Sequence, residues 1–204
     1  MKRKSEPVQP YLATRSKKPH LLGLYEPPSR TKNWVTGTDV RNFMIKDTLV
    51  DWLKLFKKKN KTETEFVDFL MQRGNDFENS VVSFLKKSIP IPTVSNIINS
   101  QTCKKTIELM QLGIPIIHSA PFMNTKLRTK GIIDLLVRSD YLHMIIEDNP
   151  IPDELIYFKA PKLSGNYHYI VIDCKFSTLP LRADGIHILN SDSYPAYKAQ
   201  LLIY

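Results

Sequence analysis

Cysteine is scarce in this chain of 204 residues, which contains only Cys103 and Cys174. Two thiols so far apart in sequence predict neither a disulfide framework nor a self-contained zinc site. They favour a reducing, intracellular compartment, either the cytoplasm or the nucleus, and a viral origin is compatible with that location.

Long apolar runs are also missing. No segment approaches the roughly 18 uninterrupted apolar residues that a membrane span requires. The opening MKRKSEPVQP has basic residues but lacks the apolar run of a signal peptide. A hydrophobic content of 42% suffices for one core, so we expect a single soluble domain with no membrane partner.

Acidic residues are in the minority, since 20 Asp and Glu face 29 Lys and Arg, for a formal charge of +9. Such an excess attracts polyanions, of which nucleic acid is the usual candidate. The basic residues cluster in MKRK, RSKKPH and KLFKKKNK. The same clusters are equally typical of a solvated helix end and a disordered tail.

The chain divides into an arm and a globular part. Residues 1–33 are rich in Pro, Lys and Ser and show no periodicity, which predicts a flexible basic N-terminal arm. Residues 34–204 form the predicted domain. Its last segment, SDSYPAYKAQLLIY, has the pattern of a helix that is still running at Tyr204. We therefore expect the domain to be truncated at its C-terminal end and to belong to a longer chain with further domains.

Helical periodicity comes first along the domain, and β patterns follow. Apolar spacing predicts helices within residues 36–56 (one helix, or two broken near Asp47), 63–88 and 101–113. β-branched and aromatic runs then predict strands in IPIIHSA, KGIIDLLVRSD, YLHMII and NYHYIVIDCKF. The predicted fold class is α/β, a small mixed central β-sheet flanked by helices, with a helical N-terminal part.

Charged residues interrupt two of the apolar runs. Asp134 lies within GIIDLLV, and Asp173 and Lys175 lie within YIVIDCKF. If these runs are neighbouring strands, the two carboxylates meet, and their repulsion is relieved by a hard divalent cation. Glu78, on the helix containing RGNDFE, is available as a third acid. The pattern therefore predicts a metal site with a lysine beside it.

These residues, taken in order, resemble the PD-(D/E)xK nuclease superfamily, and more narrowly its RecB-type exonuclease branch. The similarity consists of a Gly-x-x-x-Glu helix ending at Glu78, an acid in GIID at Asp134, the DCK set of Asp173 and Lys175, and QLLIY, whose Gln and Tyr match a Gln-x-x-x-Tyr motif. It spans about residues 36–204. Ile133 stands where the family pattern has proline.

The resemblance implies a restriction-endonuclease-like core, a nuclease domain over residues 34–204, and metal-assisted hydrolysis of phosphodiester bonds. Glu78, Asp134, Asp173 and the Cys174 backbone carbonyl would bind one or two Mg²⁺ or Mn²⁺ ions, and Lys175 would complete the catalytic set. The implied nucleic-acid contacts are Gln200, Tyr204 and Arg73. No iron–sulfur cluster is expected in this segment, because the four cysteines used by some relatives are missing.

Three functions are compatible with this pattern. The preferred interpretation is a metal-dependent DNA nuclease, and the Gln-x-x-x-Tyr match favours an exonuclease. The second is an RNA endonuclease of the cap-snatching type, which lacks that motif. The third is a basic nucleic-acid-binding module with a decayed site, for which salt-dependent binding would survive without cleavage.

Each assignment also has a purely structural alternative. Asp173 and Lys175 could form a salt bridge on a half-exposed edge strand, and Asp134 could face solvent at a strand end. Glu78 could be an ordinary exposed helix acid, while the final Gln and Tyr could serve only in helix packing. His118 is better interpreted as a hydrogen-bonded strand histidine than as a metal ligand.

Overall fold

The computed structural model describes residues 34–56, 65–147, 150–178, 180–185, 187, 189 and 194–204. The predicted arm of residues 1–33 lies outside them. Within the described residues the elements are, in chain order, α1 Gly37–Met44, α2 Thr48–Phe56, α3 Glu65–Leu85, α4 Ser100–Gln111, β1 Ile116–Asn124, β2 Thr129–Arg138, a 3-10 helix Ser139–Met144, α5 Asp153–Ile156, β3 Tyr169–Ile172 and α6 Tyr194–Ile203.

The first predicted helical segment forms two helices, α1 and α2. Thr36 caps α1 in a capping box, because its hydroxyl accepts the Asp39 N–H while the Asp39 carboxylate accepts the Thr36 N–H. The break between the helices contains Lys46, whose φ of 60° is left-handed and ends the helical path. The buried Asn42 side chain then donates to Asp51 Oδ1 at 2.9 Å, which ties the two helices together.

The sheet is antiparallel in the order β1-β2-β3, where the sequence predicted a mixed one. Parallel pairing among the described residues occurs only at two isolated bridges, Val35 with Thr129 and Thr93 with His118. The coarser α/β prediction is confirmed. None of the described helices combines the length and the apolarity that crossing a membrane demands.

Two predicted β runs differ in the structure. YLHMII forms most of a 3-10 helix, because Arg138 donates to both carboxylate oxygens of Asp140, at 2.7 and 2.8 Å, and the chain turns there. The run NYHYIVIDCKF is a strand only from Tyr169 to Ile172. Asp173 therefore follows β3 instead of lying within it.

Both faces of the sheet are covered. On one face the C-terminal end of α3 and the 3-10 helix build a buried cluster, and on the other face α4 builds a second one. The first consists of Val82, Leu85, Ile91, Ile116, Leu135, Val137 and Leu142, and the second of Leu109, Ile117, Ala120, Ile133 and Leu136. We call these faces the α3 face and the α4 face.

Candidate functional site

Asp134 lies within β2, and Asp173 directly follows the end of the neighbouring strand β3. β2 pairs with β3, and the last pair of that ladder is Leu135 opposite Ile172. Continued by one residue, this register sets Asp134 opposite Asp173. The main-chain N–H of Cys174 donates to Asp134 Oδ2 at 2.7 Å, which holds the end of β3 against the Asp134 carboxylate.

The Asp134 carboxyl holds its proton more strongly than usual. Its pKa is raised from the ordinary 3.8 to about 6, chiefly by burial and in spite of the hydrogen bond from Cys174. The negative charges of Asp173 and Glu78 contribute to this rise, and the Lys175 ammonium acts against it. Three acids from distant parts of the chain thus act on one another at a half-buried position. A bound cation would relieve this repulsion.

Asp173 and Lys175 form a direct ion pair. Lys175 Nζ donates to Asp173 Oδ1 at 2.7 Å, and the exposed fractions of the two side chains are 35% for Lys175 and 6% for Asp173. Burial acts to lower the pKa of Lys175, but the hydrogen bond and charge of Asp173 outweigh it and the pKa is raised. The ion pair of the structural alternative is therefore present, although Asp173 is buried instead of half-exposed.

Glu78 reaches the site from α3 and is bound by His118 of β1. Glu78 Oε1 lies 2.8 Å from His118 Nε2, and His118 Nδ1 lies 2.9 Å from Thr93 Oγ1. His118 is thus a hydrogen-bonded strand histidine, as the sequence favoured. Glu78, with a quarter of its side chain exposed, is not the free surface acid of the structural alternative.

The β1–β2 ladder is irregular beside Asp134. Pairing is interrupted at Ser119, which would face Asp134 and whose φ of 46° is left-handed. Ile133 packs on the α4 face whereas Leu135 packs on the α3 face, although residues two apart on a regular strand share a face. Strained non-glycine residues of this kind cluster at functional sites. The irregularity therefore lies directly beside Asp134, one of the three acids of the site.

Gln200 and Tyr204 lie against the sheet and α1. Gln200 Nε2 donates to Tyr204 Oη at 3.0 Å, and the Tyr204 ring meets Phe122 edge-on with centroids 5.5 Å apart. A Cβ on Gly131 would lie 2.6 Å from the Tyr204 ring, and one on Gly37 would lie 2.6 Å from Gln200 Cγ. These two glycines leave the space into which Gln200 and Tyr204 pack. The two side chains therefore do contribute to helix packing.

Tyr204 also belongs to the electrostatic surroundings of the acids. Burial raises the pKa of its hydroxyl, the Gln200 hydrogen bond opposes this, and the charge of Asp173 adds to the rise. Asp134 raises this pKa too, while Lys175 lowers it. The residue that follows α6 therefore lies close enough to Asp134 and Asp173 to be affected by their charges.

No contact among the described residues brings Arg73 to this site. Its guanidinium lies 3.9 Å from Asp76 and stacks over the Phe69 ring at 5.2 Å, both on its own helix. Its separation from Glu78 by five residues turns the two side chains to different faces of α3. The phosphate contact implied for Arg73 stays a prediction.

The side chains as placed do not form a ready-made metal cage. Among the residues that the structure describes, no three His, Cys, Asp or Glu side chains are positioned to hold an ion. Glu78 is engaged by His118, and Asp173 by Lys175. Both cysteines are free thiols, and burial together with the neighbouring acids raises the pKa of Cys174 to about 11. Cys174 is therefore a neutral thiol at neutral pH.

Comparison with protein-family models finds no match, and neither the curated proteins nor the solved structures give one. The resemblance to the PD-(D/E)xK nucleases therefore depends on the motifs of this chain alone and stays a prediction.

The raised pKa of Asp134 implies that the stability of the protein depends on pH. Because this pKa is about 6 in the folded protein and 3.8 ordinarily, the folded state binds the proton more tightly than the unfolded state. The resulting stabilisation is fully present below about pH 4 and is lost as the pH rises through about 6. We expect the free energy of unfolding of the wild-type protein to fall, relative to that of Asp134→Asn, as the pH rises from about 4 through about 6. Urea titration of both proteins in EDTA measures this difference. A pH-independent difference between the two proteins would contradict the assignment.

Proposed function

We propose that the chain is a metal-dependent nuclease that hydrolyses phosphodiester bonds of DNA from a strand end. The observation that carries the proposal is the meeting of Glu78, Asp134 and Asp173, with Lys175 beside them, where β3 ends next to the middle of β2. Glu78 and Lys175 are 97 positions apart in the sequence. The charges of Glu78, Asp173 and Lys175 all affect the pKa of Asp134. In the same proposal, the sheet and helices are the core of a restriction-endonuclease-like domain.

The donor set suits a hard divalent cation. Mg²⁺ and Mn²⁺ prefer carboxylate and carbonyl oxygens, and the crowded acids gain from neutralisation. The ligands would be Asp134, Asp173, Glu78 and the Cys174 carbonyl. Glu78 is held by His118 through Oε1 and would offer its other oxygen to the ion, whereas Asp173 would exchange its pairing with Lys175 for the ion. When bound, the ion would supply an activated water and neutralise charge on the departing oxygen.

The remaining residues would hold the substrate and its charge. The ammonium of Lys175 is partly buried beside the acids, where it can stabilise negative charge that develops on the scissile phosphate. Gln200 and Tyr204 present an amide and a hydroxyl one helical turn apart, and the Tyr204 hydroxyl is affected by the charges of Asp173 and Asp134. Both groups can bond the nucleic-acid backbone. The formal charge of +9 favours a polyanionic substrate.

The proposal is tested on single- and double-stranded DNA and RNA labelled at either end, with Mg²⁺, Mn²⁺ or EDTA. We expect stepwise shortening of linear DNA with either metal, no shortening in EDTA, and no cutting of circular single-stranded DNA. Cutting of the circle would overturn the dependence on an end. Cleavage of RNA alone would favour the cap-snatching alternative, and salt-dependent binding without any cleavage would favour the binding module.

A further inference from the structure

We infer that His118 is a positioning residue for Glu78, and that Thr93 fixes the ring of His118 for this purpose. The inference deepens the proposed function and rests on it. In this arrangement His118 touches neither ion nor substrate. It restrains the Glu78 carboxylate so that little conformational freedom is lost when that carboxylate joins a divalent cation bound by Asp134 and Asp173.

The hydrogen bonds select one tautomer of the ring. A carboxylate only accepts, so Nε2 must carry the proton that is donated to Glu78 over 2.8 Å. In the neutral ring Nδ1 is then an acceptor, and it accepts a hydrogen bond from the Thr93 hydroxyl at 2.9 Å. The opposite tautomer would set a bare ring nitrogen against a carboxylate oxygen. A neutral imidazole therefore satisfies the whole Thr93–His118–Glu78 chain.

The backbone supports the same orientation. The His118 N–H donates to the Pro92 carbonyl at 2.9 Å, and the Val94 N–H donates to the His118 carbonyl at 3.0 Å. These bonds form the isolated parallel bridge between Thr93 and His118. The residues on either side of Thr93 are therefore hydrogen-bonded to the main-chain N–H and C=O of His118. With His118 itself only 9% exposed, the ring has little freedom to turn.

A second-layer role agrees with the chemistry of metal sites. Ligating carboxylates are themselves hydrogen-bonded, and loss of such a partner typically costs 10–100-fold in metal affinity or activity. His118 as a direct ligand would have to give up either Glu78 or Thr93, because Nδ1 and Nε2 are both engaged. Ser119 Oγ lies a further 3.3 Å from Nε2 and crowds that nitrogen. The geometry points to support of Glu78 instead of ligation.

The test measures Mn²⁺ binding to the full chain by electron paramagnetic resonance, without nucleic acid. Removal of the ring in His118→Leu is expected to weaken Mn²⁺ binding by about 10-fold. In His118→Gln the side-chain amide N–H₂ can take the place of Nε2–H, so we expect most of the affinity to return. Thr93→Val, which deletes only the hydroxyl, should weaken binding to a smaller degree than His118→Leu. His143→Gln, at an exposed histidine of the 3-10 helix, is the matched control.

The outcomes separate this inference from the proposed function. If wild-type protein binds Mn²⁺ and His118→Leu binds it equally well, the positioning role is wrong while the nuclease proposal stands. If His118→Gln is as weak as His118→Leu, the ring acts as a ligand and not as a hydrogen-bond donor. If wild-type protein binds no Mn²⁺, the proposed function fails and this inference with it. Thermal unfolding of each variant identifies loss of binding that comes from loss of the fold.

Discussion

Replacement of Asp173 by asparagine is expected to lower Mn²⁺-dependent DNA cleavage by about 10³-fold, which corresponds to about 4 kcal/mol of transition-state stabilisation. The change removes one negative charge from a site where Asp134 and Glu78 supply the others. It keeps the shape of the side chain and an oxygen that can accept from Lys175 Nζ. The loss would therefore come from cation binding and not from a collapse of the ion pair. Single-turnover cleavage of labelled DNA measures it.

The matched control is Asp153→Asn, which removes the same charge from an exposed position of α5. We expect this variant to cleave at the wild-type rate. An Asp173→Asn protein that retains its fold, by circular dichroism, and cleaves within a few-fold of wild type would show that Asp173 holds no essential ion.

Lys175→Met should separate metal binding from chemistry. The ammonium is proposed to stabilise charge on the phosphate, and loss of one such group typically costs about 10²-fold in rate. Lys175 now occupies Asp173 Oδ1, so its removal frees this carboxylate for an ion. We expect cleavage at saturating Mn²⁺ to fall by about 10²-fold, while Mn²⁺ binding stays equal or becomes tighter. Rate measurements over a range of Mn²⁺ concentrations distinguish the two quantities.

Lys104→Met, which removes an amine that is 79% exposed on α4, is the control for general loss of positive charge. It should leave the rate at saturating Mn²⁺ unchanged. If Lys175→Met regains the full wild-type rate at high Mn²⁺, then Lys175 contributes only to cation binding and its proposed role towards the phosphate is wrong.

Helices and the broader fold class were predictable from sequence because they follow from local patterns. The break near Asp47, the long helix α3 and the end of α4 before Gly113 all agree with apolar spacing and turn residues. The strands were less predictable. YLHMII has strand-like composition, but the Arg138–Asp140 ion pair closes a turn ahead of it, and composition does not encode such a contact.

The acids of the site were predictable because a charge buried within an apolar run is costly unless it is paired or binds a metal. The residues that contact these acids were not predictable. Nothing in the spacing of Glu78 and His118, which are 40 residues apart, indicates that they bond. The left-handed Ser119 gave no signal either, since serine is common in regular strands and turns alike. The Glu78–His118 contact forms only when α3 meets β1 in the folded protein, which a single sequence does not reveal.

A crystal soaked in Mn²⁺ shows through the anomalous signal of the metal whether Asp134 and Asp173 share a divalent cation. We expect a peak between the two side chains, about 2.1 Å from an oxygen of each, with Lys175 displaced from Asp173. Contradiction would be a map without a peak there, in which Asp134 still accepts only from Cys174 and Asp173 still pairs with Lys175.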